Sequence, residues 1–383
     1  CRVAFALSFA AALVAAAAGA APAVGARTAT RATPAHVWPE LPNETWALDS
    51  LRVANVHSVL LERDAASLLL EDGRIAIARP LGGHDVALVF SGRGTLAFTP
   101  PDGVEREQLR RFTGTRTLRR SFRSLVLVAT DSTFDELLPG LTFRTDTLRA
   151  LVRAWREGLP YLVKNEDLRQ AISDREPGLF WAAAWEFKQD PLFIVLNPFA
   201  VERVQLWRTP EGSRLGLWNR HVHETVCQFR SQGDTDTTRS DLRAPYQAEH
   251  YMLSVSLASD LRVDATAEVT LRAAGRPRSW FTFDMAATLM LDSVRVDGVV
   301  QSFDTNRETG RIWVHADPPA PAGETRTFRF CYHGALFERE ADRIYTPEPT
   351  GWYPTPWYGG EATWDLSFRC PRAYQLLAPG RRV

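Results

Sequence analysis

The segment His221-Val222-His223-Glu224 sets two imidazoles two residues apart. On a strand, that spacing puts both rings on one face, a geometry able to hold a metal ion. No third ligand is identifiable in the sequence, so the pair reads as structure. Asp234-Thr235-Asp236-Thr237 alternates oxygen ligands as a calcium loop does, but it lacks the glycine and terminal Glu of an EF-hand. It reads as a solvated linker. Trp352, Tyr353, Trp357 and Tyr358 offer the faces of a stacking platform for sugar or peptide. Rings gathered with prolines and Gly359-Gly360 more often pack a turn against a sheet. No H-E-x-x-H occurs, nor any Ser/His/Asp or glycine-rich phosphate signal.

The background to these residues is electrically balanced. The 383 residues carry 45 Lys and Arg against 45 Asp and Glu, for zero formal net charge. Nothing draws the chain to nucleic acid. Lys164 and Lys188 are the only lysines, an Arg-for-Lys bias expected of a GC-rich bacterial genome. Val3 to Val24 is almost wholly apolar, follows Arg2 and precedes small residues, the layout of a secretory signal over residues 1–26. The reading therefore expects an exported protein, periplasmic or extracellular and free of the membrane once cleaved. The same stretch is long enough to persist as an anchor. Cys1 stands where an initiator Met is expected, and Arg381-Arg382-Val383 follows Ala378-Pro379-Gly380 without a visible closing element, so a longer parent is expected. Three cysteines lie beyond the signal, Cys227, Cys331 and Cys370. Cys331 and Cys370 share an apparent domain and are the pair an oxidising compartment would join; otherwise all three are free thiols.

Periodicity predicts a mainly β protein with a helical section. Residues 27–50 read as an extended lead-in. Residues 51–235 read as an α+β domain of no assignable role: short apolar runs from Ser58 to Phe98 with turns at Glu71-Asp72-Gly73, Leu81–Asp85 and Ser91–Gly94, then helical spacing over Val104–Phe112, Ser132–Leu138, Thr147–Arg156 and Glu166–Ser173. Ser132 and Asn165 are the expected N-caps. Strand composition returns at Phe122–Ala129, Leu192–Leu196, Val204–Trp207 and Arg214–Trp218. From residue 245 to 383 alternation is strict, as in Tyr251–Leu257 and Leu289–Val296, with hairpin turns at Asp297-Gly298 and Thr309-Gly310. That pattern predicts an antiparallel β-sandwich or saddle-shaped sheet.

Three stretches of this second domain carry a resemblance. They are the strand Tyr251–Leu257, the strand end Phe330–Gly334, and Gly351-Trp352-Tyr353-Pro354 followed by Ala362–Tyr374. In order and spacing they resemble the N-terminal domain of gluzincin aminopeptidases, the family of aminopeptidase N and leukotriene hydrolase. The resemblance implies a β-domain that packs on a zinc-bearing catalytic domain and lines one wall of a peptide cleft. Zinc is expected in that missing domain and not in this chain, which should be inactive alone. The peptide substrate would be met through it. Glu348 is the only carboxylate in Tyr345–Thr350, where the family usually places a Gln or Glu that helps hold the substrate's free amine. Two rival readings remain at this stage, a non-catalytic binder of peptides or partners and a carbohydrate-binding β-sandwich.

Overall fold

The computed structural model describes residues 12–15, 41–146, 149–186, 189–209, 223–232, 234, 245–340, 343–345, 351–356, 361–377 and 381. The chain divides into two compact units, Pro39–Arg243 and a second made of Ala244–Val383 with Cys1–Trp38. The first strand, β1 (Ala12–Ala15), belongs to the second unit.

The first unit is built on one eight-stranded antiparallel sheet whose neighbours follow chain order. Its strands are β2 (Leu48–Arg63), β3 (Ala66–Ala78), β4 (Ala87–Phe98), β5 (Leu118–Ala129), β6 (Phe180–Trp185), β7 (Leu192–Leu196), β8 (Val204–Arg208) and β9 (Glu224–Phe229). The sheet curls. Phe98 on β4 lies 6.0 Å from Phe229 on β9, whereas five strand spacings in a flat sheet would part them by about 24 Å. The concave side is filled by Leu68, Ile75, Leu88, Phe90, Leu127, Ile194 and Leu206, all at most 1% exposed. The curl also brings Asp64 beyond the end of β2 to the chain after β9, where it accepts from Ser231 Oγ at 2.7 Å and Gln232 N at 2.9 Å.

Among the described residues, four α-helices accompany the sheet: α1 (Gly103–Thr113), α2 (Thr133–Leu137), α3 (Arg149–Val163) and α4 (Glu166–Asp174). Asp102 caps α1 by accepting from Glu105 N at 2.8 Å, and Gly114 closes it in the left-handed conformation. Asn165 caps α4 as expected, accepting from Leu168 N at 2.9 Å. Ser132 makes no such bond. Its hydroxyl instead donates to Glu136, and Asp131 accepts from Thr133 N at 2.9 Å. Helix α3 lies over the other side of the sheet, where Gly158 admits Val126 and Trp185 so closely that a Cβ would stand 2.6 Å from the valine.

Two sequence-derived turns are not turns. Glu71-Asp72-Gly73 lies inside β3 and Ser91–Gly94 inside β4, and both are register shifts in continuous strands. Their glycines are there for contact between backbones. A Cβ on Gly92 would stand 2.3 Å from Asp72 O and 2.5 Å from Gly73 Cα. Glycine within a strand marks a bulge or a close approach as readily as a turn.

The second unit is a sandwich. Its larger sheet has the order β14 (Val299–Gln301), β13 (Leu289–Val296), β17 (Thr325–Ala335), β11 (Arg262–Ala273), β10 (Tyr246–Leu257), β21 (Thr363–Arg369). It is antiparallel except that β21 runs parallel to β10. The facing sheet has the order β15 (Phe303–Asn306), β16 (Arg311–Ala320), β12 (Arg278–Asp284), β20 (Thr355–Pro356). Phe281 and Phe283 on β12 interleave with Phe328 and Phe330 on β17, with ring centroids 4.7 to 5.3 Å apart. Tyr246 pins the sheets together: its hydroxyl donates to Thr282 O at 3.0 Å and accepts from Thr282 N at 2.7 Å. Asp297 and Gly298 both take positive φ in the expected hairpin between β13 and β14. A small third sheet has the order β18 (Glu338–Glu340), β19 (Arg343–Tyr345), β1, β22 (Tyr374–Leu377). Processing near Arg27 would leave β19 and β22 without the strand between them.

Candidate functional site

The residues that carry the resemblance meet at one corner of the sandwich. On β10 and β21, Tyr251 and Trp364 are register partners, and their rings stack at 4.0 Å and 3°. Tyr353 meets both edge-on, at 5.5 and 5.0 Å. Trp352 continues the cluster, 4.8 Å from Tyr353 and 5.9 Å from Phe368. Tyr332 on β17 reaches across to donate to Trp352 O at 3.2 Å. The glycine of the Phe330–Gly334 strand end is required here. Gly334 has φ +155, and a Cβ there would stand 2.6 Å from Thr288 O.

This packing bears on Trp352 in the aromatic run. Trp352 is only 6% exposed, so its ring face is spent on Tyr353 and Phe368 and is closed to a sugar or peptide. As a member of a surface platform Trp352 is corrected accordingly: its ring packs inward against the sheet, while Tyr353 is half-buried. The Trp352 Nε1 is buried without a hydrogen-bond partner among the described residues. Burial pushes the phenols of Tyr251, Tyr332 and Tyr353 above the usual tyrosine range, and Tyr353 adds to the effect on the other two. All three stay neutral at physiological pH and offer faces and hydroxyls, not phenolate chemistry. Glu348, Trp357 and Tyr358 lie outside the described residues.

Of the two readings of the cysteines, the Cys331–Cys370 bridge is not formed. Cys227, Cys331 and Cys370 are free. Cys331 is level with Thr266, Ser254 and Ser367 on successive strands β17, β11, β10 and β21, and three strand spacings come to about 14 Å. A disulfide needs Cα atoms within about 7 Å.

Of the other sequence motifs, His223 stacks on Trp207 at 5.0 Å and 19° and meets Phe193 edge-on at 4.8 Å. Glu224 pairs with Arg208 at 2.6 Å. His221 and Thr235–Thr237 lie outside the described residues, as does the strand expected over Arg214–Trp218. Among the described residues no group of three or more His, Cys, Asp or Glu could hold a metal ion. No helix among them is long and apolar enough to cross a membrane. What sequence reasoning missed is the Tyr251–Trp364 stack, since a parallel edge strand brought from more than a hundred residues away leaves no local signal.

No protein-family model matches the chain, and no curated protein matches it. Among solved structures it is similar to a two-domain M1 zinc metallopeptidase mutant bound to L-arginine, at TM-score 0.31 and 17% identity over 34% of each chain. It is also similar to an M1 zinc metallopeptidase from Deinococcus radiodurans, at TM-score 0.30 and 17% identity over 33% of each chain. Native yeast LTA4 hydrolase matches at TM-score 0.28 and 11% identity, over 33% of this chain and 23% of that one. The match thus spans about a third of the two metallopeptidases and about a quarter of the yeast hydrolase.

Proposed function

We propose that this chain is the front portion of an exported zinc-metallopeptidase-like protein, whose β-domain from residue 245 packs on a following catalytic domain and lines its peptide cleft. The observation that supports this is an unfinished inner face at the edge of the larger sheet. Trp364, Leu366 and Phe368 on β21 are level with Tyr251, Leu253 and Val255 on β10. The β10 residues are 1 to 4% exposed, whereas Leu366 is 36% exposed and its two neighbours are half-buried. An apolar row on the core side of a sheet, left partly in water, is the mark of an interface. The tightly packed Trp352-Tyr353-Pro354 corner would give that face its shape, and Glu348 would stand toward the substrate's amine.

Peptide hydrolysis in this reading belongs to zinc-activated water in the following domain. This chain supplies wall and support. The two histidines one helical turn apart with an adjacent Glu that such a site uses are not in its sequence, so in this reading they come from the following domain.

The test is hydrolysis of aminoacyl and internal peptide substrates by the product of the complete reading frame, before and after chelation. Activity lost on chelation and regained with zinc is expected, with residues 1–383 alone inactive. Glu348→Ala should raise KM for peptides with a free amine and leave amine-blocked peptides unaffected. A complete frame without H-E-x-x-H, or hydrolysis indifferent to chelation, overturns the reading in favour of a binding protein.

A further inference from the structure

The turn that leads into β2 carries a motif that the peptidase reading does not use. Asn43-Glu44-Thr45 has the Asn-x-Ser/Thr spacing of an N-glycan acceptor, and no other asparagine of the chain has Ser or Thr two residues on. The motif forms a β-turn closed by Trp46 N, which donates to Asn43 O at 3.0 Å. Both flanks are fixed in the first unit. Leu41 is 1% exposed and Trp46 7%. The Trp46 indole donates to Arg79 O at 2.8 Å, and its ring meets Trp155 edge-on at 5.3 Å. Glu44 and Thr45 stand exposed at the tip, with Asn43 half-buried beside them. The folded chain thus presents the motif on a held turn.

Within the turn, Thr45 addresses one atom twice. Its backbone N donates to Asn43 Oδ1 at 2.9 Å, and its hydroxyl donates to the same oxygen at 2.6 Å. A backbone N–H can only donate, so the atom it meets is the amide oxygen. Nδ2 is the atom left over, without a hydrogen bond among the described residues. An amide nitrogen is a poor nucleophile because its lone pair is shared with the carbonyl. As Nδ2 loses a proton, negative charge moves onto Oδ1, where two donors already stand. Donors placed in advance where charge develops lower the barrier to such a step.

We propose that Asn43 is an N-glycosylation site, preformed in the folded chain, whose donor is a sugar carried on a diphosphate leaving group. In the transfer, a bond forms from Nδ2 to the sugar's anomeric carbon, and the bond from that carbon to the diphosphate oxygen breaks. The diphosphate leaves with the electron pair, and the amide proton passes to a base of the transferase. The carrier of the diphosphate is a nucleotide or a polyprenyl lipid, and bacterial transferases use both.

The test offers the folded 383-residue chain two donors. One arm holds UDP-glucose and a soluble N-glucosyltransferase, the other a polyprenyl-diphosphate oligosaccharide and a membrane oligosaccharyltransferase. One sugar or glycan per chain is expected in at least one arm, read by intact mass and mapped to Asn43 by fragmentation, and the arm that succeeds names the carrier. Asn43→Gln should take none. Thr45→Ser should still be modified, and Thr45→Val about a hundred-fold more slowly, as loss of a donor at developing charge predicts. The tip is exposed, so unchanged circular dichroism and melting are expected of all three variants. Modification in neither arm, modification of a peptide spanning residues 40–50 but not of the folded chain, or equal rates for Thr45→Val and the unaltered chain overturns the proposal. The peptidase reading is untouched by any of these results, since its test lies in the complete product and its metal.

Discussion

Cys227 is 3% exposed, and burial, followed by Glu105 and Asp102, pushes its thiol up to about 12. Because the thiolate is the reactive form, this cysteine is inert at pH 8, whereas Cys331 and Cys370 are partly open on the sandwich. Alkylation by iodoacetamide, mapped by mass spectrometry, should modify Cys331 and Cys370 in the native chain and Cys227 only after unfolding. Rapid native labelling of Cys227 would mean that the wall formed with α1 opens. A second residue ties stability to pH. Burial holds the His315 imidazole below the usual histidine range, partly offset by Asp317. A base with a depressed folded pKa takes up its proton more readily unfolded, so its contribution to stability is present above the unfolded value and lost as pH falls through the folded one. The unfolding midpoint should therefore fall as pH drops below the ordinary histidine value of about 6.5, and His315→Gln should flatten that fall. A slope unchanged in the variant would assign it to carboxylates.

At the scale of elements, what the sequence made legible was alternation. Leu289–Val296 is a strand with those same ends, because every second side chain there meets a packed core and a one-residue slip would expose it, whereas Leu192–Leu196 was legible as a short, continuously apolar strand buried on both faces. Glycine was harder to interpret, since a turn and a close cross-strand approach both call for a missing Cβ. The structure separates them: Gly82 and Gly83 have positive φ in a true turn, whereas Gly73 and Gly92 face each other across β3 and β4. Gly92→Ala should cost about 2 kcal/mol or more, since the new methyl meets backbone that cannot step aside. Gly103→Ala, with nothing within 4 Å of the added Cβ, should be neutral or stabilising by a few tenths of a kcal/mol. Urea unfolding of the two variants checks the contrast. The candidate corner was legible only in part. Trp352 and Tyr353 stood out by type, but their inward packing depends on β21 running parallel to β10, a pairing between segments about a hundred residues apart that no local window contains.

At the scale of the whole molecule, each unit closes its own core, the first by curling one sheet on itself and the second by facing two sheets. Pro39–Arg243 should therefore fold when expressed alone and melt as one cooperative transition. The edge of the larger sheet is different, because a sandwich sufficient to itself would cover Leu366 as it covers Leu253. Leu366→Ser separates the two cases. In the 383-residue chain the side chain is already 36% exposed, so the loss should stay within about 1 kcal/mol. In the complete product, a domain seated over β21 would make the same substitution a buried polar replacement costing about 2 kcal/mol or more. A larger loss in the complete product than in this chain, measured by urea unfolding, locates the interface at β21. Equal losses would leave that edge in water and move the docking of any further domain to another face.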